Sequence, residues 1–270
     1  MPRDLADRPN HQRAHGALRL SIGPQGLRGL YHRTPLRALF PEGAGMEVAI
    51  ANVGGGLAGG DVTETEVTLE AGARATVTGA AAEKLYRSLG EEARVSARLH
   101  LGAGAALEWL PQETILFEGA RLRRRTEAYL APGSSLLACE MLVFGRRARG
   151  ERFTRGFLLD AWRLRGPDGR LLWADALRLD DPGAELARAH GLAGAEASAL
   201  LLLAAPDAAR HRELARDLAG GAASVPRAGL LLLRWLGAAG EVRAGLRRAV
   251  AALRHAALGR PATLPRLWTC

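Results

Sequence analysis

The residues of this sequence whose settings suggest chemistry are mostly carboxylates. Asp61 closes the string Asn52-Val53-Gly54-Gly55-Gly56-Leu57-Ala58-Gly59-Gly60-Asp61, Glu140 sits in an apolar stretch, and Glu151 follows Gly145-Arg146-Arg147. Glu140 shares a strand face with Leu136, Leu142 and Phe144, and an unpaired charge buried there would cost several kcal/mol. Each of the three fits two roles, an oxygen ligand for a cation or a structural carboxylate paired with arginine. Asp61, Glu64, Glu113 and Glu118 also offer the acid pairs of a carbohydrate-cleaving β-helical enzyme. Such an enzyme needs an aromatic-lined groove, and aromatic residues make up only 5% of the chain.

Other chemistries are excluded by spacing. The glycine string is not a phosphate cradle, because no Gly-x-x-x-x-Gly-Lys-Ser/Thr exists and the sole lysine, Lys84, stands elsewhere. A dinucleotide fingerprint would need a helix after the glycines, yet Val62 to Leu69 reads as a strand. The string is therefore expected to be a tight loop with glycines at positive φ. Seven histidines give no His-x-His and no His-Glu-x-x-His, so no tight, permanent metal site is encoded. Cys139 alternates with Leu137, Met141 and Val143, which points its thiol into apolar surroundings. No Gly-x-Ser-x-Gly elbow is present.

The elements that must position these groups follow from periodicity. From about Ala17 to Leu179 the period is two, clearest at Val95 to Leu101, where Val95, Ala97, Leu99 and Leu101 face away from Ser96, Arg98 and His100. In Arg121 to Arg125 the same alternation sends Arg123 and Arg125 to one side and Arg124 to the other. Gly166-Pro167-Asp168-Gly169 predicts a turn between paired strands. Three segments repeat a strand, a glycine turn and a second strand: Leu69-Glu70-Ala71-Gly72-Ala73, Leu101-Gly102-Ala103-Gly104-Ala105 and Leu130-Ala131-Pro132-Gly133-Ser134. Their spacing of about 30 residues suits stacked β coils or sequential hairpins.

Past Pro182 the texture changes. Helices are predicted from Pro206-Asp207 to Leu218 and from about Glu241 to Leu258, the second closed by Gly259 and Pro261. Ser198 to Ala205 and Leu230 to Leu236 read as buried strands. The fold class expected is mainly β, a β-helix-like, solenoid-like body with a few helices mostly in the C-terminal third. The expected organisation is a disordered lead over residues 1–15 and a single domain over 16–270, with the β-rich body at about 16–181 and an α/β portion at about 182–270.

Composition bounds the class. Hydrophobic residues at 48% and charged residues at 24% fit a globular protein, and Met1 to Ala17 lacks the apolar core of a signal peptide. Its apolar runs fall far short of the roughly 18 residues that span a bilayer, so a cytoplasmic location is expected. All 37 Lys and Arg residues except Lys84 are arginine, and the net charge is +9. A basic surface admits an acidic protein partner or nucleic acid.

Several strings together carry a resemblance. Gly54 to Asp61, Ala82-Glu83-Lys84-Leu85-Tyr86-Arg87-Ser88, Trp109-Leu110-Pro111-Gln112-Glu113-Thr114-Ile115-Leu116-Phe117, and Phe144-Gly145-Arg146 with Gly150-Glu151 occur in order, followed by Gly259-Arg260-Pro261 to Pro265-Arg266-Leu267-Trp268. This set, spanning about Gly16 to Trp268, resembles the urease accessory protein UreD (UreH) family. The resemblance implies a non-enzymatic maturation factor and chaperone of urea metabolism. Its implied partners are apo-urease, a helical accessory protein of the UreF type and, through the complex, a nickel-delivering GTPase of the UreG type, with neither nucleic acid nor membrane among them. It also implies a right-handed β-helix-like body, no tightly bound cofactor and nickel only in transit.

A metal in transit is held by scattered oxygens, so Asp61 and Glu140 are the expected path residues, with Glu151 and Thr78 behind them. Where the family commonly carries a polar Thr-Thr-Gln-like run before the Lys-x-Tyr-Arg string, this chain has Thr78-Gly79-Ala80-Ala81-Ala82-Glu83, with Glu83 in place of a small polar residue.

Overall fold

The computed structural model describes residues 13–43, 45–220 and 222–269. Residues 1–12 of the polar lead, Ala44, Gly221 and Cys270 lie outside them. In chain order the first strands are β1 (His15–Gly23), β2 (Gly26–Arg33), β3 (Leu36–Leu39), β4 (Met46–Asn52), β5 (Val62–Leu69), β6 (Arg74–Gly79) and β7 (Glu83–Leu85). They are followed by β8 (Ala93–Leu101), β9 (Ala106–Leu110), β10 (Thr114–Leu116), β11 (Arg121–Leu130), β12 (Ser135–Phe144), β13 (Phe157–Arg165) and β14 (Leu171–Leu179). The C-terminal part adds α1 (Pro182–Ala187), β15 (Ala197–Ala204), α2 (Arg212–Leu218), β16 (Ala223–Arg227), β17 (Leu230–Gly237) and α3 (Ala239–Leu258).

Among the described residues strand accounts for 49% and helix for 17%, with the strands stacked as a solenoid of about 4 turns. Each turn lays one long strand in a first sheet, bends at a glycine, and lays a second strand in a facing sheet. The first sheet runs β14-β13-β11-β8-β5-β1-β2 and the second β16-β17-β15-β12-β9-β6-β4-β3. Between successive turns the pairing is parallel, so the repeats are stacked coils rather than hairpins. Leu69 stands opposite Leu101, and Leu101 opposite Leu130. Hydrogen bonding continues through the bends, where Gly72 N donates to Ala103 O at 2.9 Å and Gly104 N to Pro132 O at 3.1 Å. Gly72, Gly104 and Gly133 take φ of +70°, +65° and +73°, the left-handed conformation that each bend demands.

Period-two alternation now has a physical meaning, because each strand has an inward and an outward face. Leu18, Leu20, Val67, Leu69, Leu99 and Trp162 of the first sheet meet Val77, Leu107, Trp109 and Leu136 of the second to fill the interior. The outer face of the second sheet is also apolar, with Leu137, Cys139, Met141, Leu201 and Leu233, and α3 covers it with Val242, Leu246, Ala249, Val250 and Leu253. The helix spans Ala239–Leu258 and ends at left-handed Gly259. The stretch predicted as one helix from Pro206 is two pieces, a 3-10 turn over Ala208–His211 and then α2. Asp207 makes no side-chain cap at the start of the 3-10 turn, nor does His211 at the start of α2. No helix among the described residues is long and apolar enough to cross a membrane.

Candidate functional site

Between the two sheets, filling gives way to a cavity of about 380 Å³. Thr63 and Thr65 on β5, Val77 and Thr78 on β6, Arg124 and Thr126 on β11, and Glu140 on β12 line it, and the exposed residues Gly55, Ala81 and Lys84 bring it to the surface. Its lining is apolar except for a few converging polar groups, the usual character of a binding cavity.

The densest of these groups is a buried cluster around Arg124, the arginine that alternation sends inward. Its Nε donates to Asp160 Oδ1 at 2.9 Å, Nη1 donates to Thr114 Oγ1 at 2.9 Å, and Nη2 bonds Asp160 Oδ2. The same Nη2 lies 3.0 Å from Glu140 Oε2, which also accepts from Trp162 Nε1 at 2.8 Å. Two carboxylates therefore share one guanidinium. Burial pushes the Glu140 carboxyl well above the ordinary carboxylate range, opposed by Arg124 and reinforced by the neighbouring Asp160 charge. Arg124, facing both carboxylates, is held firmly in its charged form.

Glu83 forms the second polar point, at the cavity rim. It accepts two bonds from Asn52 Nδ2, at 3.1 and 3.2 Å, and burial raises its pKa to about 6. Asn52 in turn ties the glycine loop, donating to Gly56 O at 3.2 Å and accepting from Gly54 N at 3.0 Å. A Cβ on Gly56 would lie 2.7 Å from Lys84 O, so the loop packs directly on the Lys84-Leu85-Tyr86 string. Leu57 N donates to Lys84 O and Tyr86 N to Leu57 O, both at 2.8 Å. Gly55, Gly56 and Gly60 take φ of +78°, +148° and +90°, as a tight loop requires.

The expected path residues occupy three places. Glu140 and Thr78 both border the cavity, but the Thr78 hydroxyl turns to the outer side of the second sheet, donating to Leu110 O at 2.9 Å and accepting from Trp268 Nε1 at 3.0 Å. Asp61 holds the end of the glycine loop, accepting from Ala14 N and Ala58 N, each at 2.8 Å. Glu151 is on another surface, paired with Arg146 and accepting from Glu118 N at 3.1 Å. Of the carboxylates considered for sugar chemistry, Glu64 faces His15, Glu113 pairs with Arg243, and Glu118 binds Thr154 and Arg155. They are not gathered at one point. Among the described residues no group of three His, Cys, Asp or Glu side chains is placed to hold a metal together. Burial raises the Cys139 pKa, which keeps that thiol protonated and inert.

Asp160, Thr114 and Asn52 escape notice in the sequence. Asp160 had a readable signal: it alternates with Leu158, Trp162 and Leu164, and it is 2% exposed. Pairing it with Arg124 needed the inter-coil register, which places the two directly opposite.

Comparison with known proteins bears on what this arrangement serves. A family model described as UreD urease accessory protein matches residues 12–269. A urease accessory protein UreD of Granulibacter bethesdensis is 52% identical over 82% of this chain and 93% of its own length. Others from Magnetococcus marinus and Methylorubrum populi are 42% and 44% identical, covering 95% and 96% of this chain and 94% and 92% of their own.

Proposed function

Because the chain belongs to the UreD family of urease accessory proteins, we propose that it is a non-enzymatic maturation factor which assists GTP-dependent insertion of nickel into urease. In this reading it is a cytoplasmic scaffold that binds apo-urease and a helical accessory protein of the UreF type. Through that complex it meets a nickel-delivering GTPase of the UreG type. The observation that carries the reading is a family match running through nearly the whole chain, at identities of 42% and more to relatives named as urease accessory proteins. Nickel is cargo here, not a resident cofactor.

The cavity supports a path through the body. Its oxygen donors, Glu140, Glu83, Thr63 and Thr126, are spread along the lining rather than gathered into a cage. A cation passing scattered oxygens is held weakly at each and can leave. Arg124 stands among them as a fixed positive charge whose carboxylate partners compensate it. Asp61 would act at the loop that borders the opening, and Glu151 outside it.

The test is urease matured in cells with and without this protein, its nickel measured by plasma mass spectrometry. Without the protein, urease should assemble but remain nickel-poor; full nickel loading in its absence would overturn the maturation role. Glu140→Ala and Asp61→Ala should each lower nickel content while the accessory complex still co-purifies. Normal loading with both variants would move the path elsewhere.

A further inference from the structure

The Tyr86-Arg87 string, Phe117 and the Arg146/Glu151 pair meet in a second concavity that the nickel path does not use. It is an open cleft of roughly 770 Å³. Its floor is aromatic, with Tyr86 and Phe117 edge to face at a centroid distance of 5.2 Å and Arg146 lying 4.2 Å above the Phe117 ring. Four arginines line it, Arg87, Arg121, Arg146 and Arg155, against two carboxylates, Glu118 and Glu151.

The two carboxylates are already engaged, Glu151 by Arg146 and Glu118 by Arg155. Arg87 has no ion pair among the described residues. Arg121 keeps a buried Nε without a hydrogen-bond partner, and its nearest carboxylate, Glu92 at 4.0 Å, is bound bidentately by Arg123. The cleft thus holds two guanidiniums in excess beside an aromatic floor. Guanidinium forks match carboxylates in geometry, and burial of an uncompensated Nε is relieved when one arrives.

We propose that this cleft docks an acidic, partly apolar segment of a protein partner in the urease maturation complex, its carboxylates on Arg87 and Arg121 and an apolar side chain on the Tyr86/Phe117 floor. The inference rests on the maturation reading. A second copy of this chain is a poor occupant, since the protein carries +9. A polyanionic nucleic acid is disfavoured because Glu118 and Glu151 stand within the cleft and would repel a continuous phosphate backbone, whereas single carboxylates fit between them. The position also matters: Tyr86 Oη donates to Gly55 O at 2.9 Å, so the cleft shares a wall with the glycine loop at the cavity opening. A segment seated there would bring its protein to that opening.

The experiment uses the full-length protein co-expressed with the urease subunits and the two other accessory proteins, tagged and purified. Arg87→Glu with Arg121→Glu should lower recovery of partners at least tenfold, while Arg170→Glu, on a distant turn, leaves it unchanged. A photo-crosslinking residue in place of Tyr86 should capture a peptide rich in Asp and Glu from one of those partners. Unchanged recovery with the double variant, or a crosslink only to nucleic acid or to a second copy of the chain, overturns the proposal. Failure of the maturation reading looks different: then no urease component co-purifies with the unaltered protein at all.

Discussion

Two arginine-carboxylate clusters lie buried on opposite sides of the second sheet, and they differ in what surrounds them. On the inner side Arg124 serves Asp160 and Glu140 beside a cavity. On the outer side Arg254 of α3 reaches Glu108 of β9, with Nε to Oε1 at 2.8 Å and Nη2 to Oε2 at 3.1 Å, while Thr76 Oγ1 donates to the same carboxylate. Arg254 Nη1 also bonds Thr263 O, Arg260 Nε stands 3.7 Å from Glu108 Oε2, and Glu108 is only 1% exposed. The outer cluster joins a helix to a sheet and leaves no room. The inner one has more carboxylate than guanidinium, and open volume beside it. Identical side-chain types thus clamp a structure in one place and line a space in the other, and the difference lies in stoichiometry and packing, not residue type.

The largest expected effect is at the sealed cluster. Arg254→Met strands Glu108 without bidentate compensation, and breaking a buried pair costs about 3–5 kcal/mol. Urea unfolding should place this variant near the top of that range, with Arg254→Met/Glu108→Leu recovering most of the loss.

Arg124→Met should cost less, about 3 kcal/mol at pH 8, because carboxylates beside a cavity can take up protons or water. The pH dependence separates the two clusters. Burial already raises the Glu140 pKa against the pull of Arg124, and with Arg124 gone that folded-state value stands still further above the unfolded one. Its contribution to stability is then present below the unfolded pKa and lost as pH rises through the folded value. Unfolding at pH 5 and pH 8 should show Arg124→Met relieved by acid and Arg254→Met much less so, because Arg260 stays 3.7 Å from Glu108 to offset its charge. Equal acid relief in both would erase the distinction.

How much of this was readable is shown by the same residues. The Leu69, Leu101 and Leu130 repeats became adjacent coils, and alternation separated Arg124 from Arg123 and Arg125 without saying which side faced inward, because both depend only on the chain's own period. Helix α3 was legible for the same reason. The Arg254–Glu108 clamp was not, since its partners are 146 positions apart and meet only when α3 packs on the sheet. The break at His211 escaped because a weak local pattern over few residues yields to packing. Within the candidate site, Glu140 was found as an inward carboxylate, while its company of Asp160 and Trp162 depended on register between coils.

A smaller effect belongs to Glu83, whose pKa of about 6 reflects burial at the rim. Ionising it disfavours the folded state, so its stabilising contribution is complete below pH 4.5 and lost as pH rises past about 6. Glu83→Gln keeps an acceptor for Asn52 and removes the ionisation, so it should stabilise the protein at pH 8 by up to about 2 kcal/mol and hardly at all at pH 4.5. Thermal unfolding at the two pH values measures the difference.

The proposal that nickel passes through the inner cavity while the sealed cluster only holds the fold is tested most directly by filling the cavity. Thr65→Phe places an apolar ring into the space and leaves the residues Arg124, Asp160 and Glu140 themselves unaltered. With the variant shown to unfold as cooperatively as the parent and to co-purify with its partners, urease matured in its presence should contain several-fold less nickel. Urease loaded with nickel to the parental level despite the filled cavity would contradict the account.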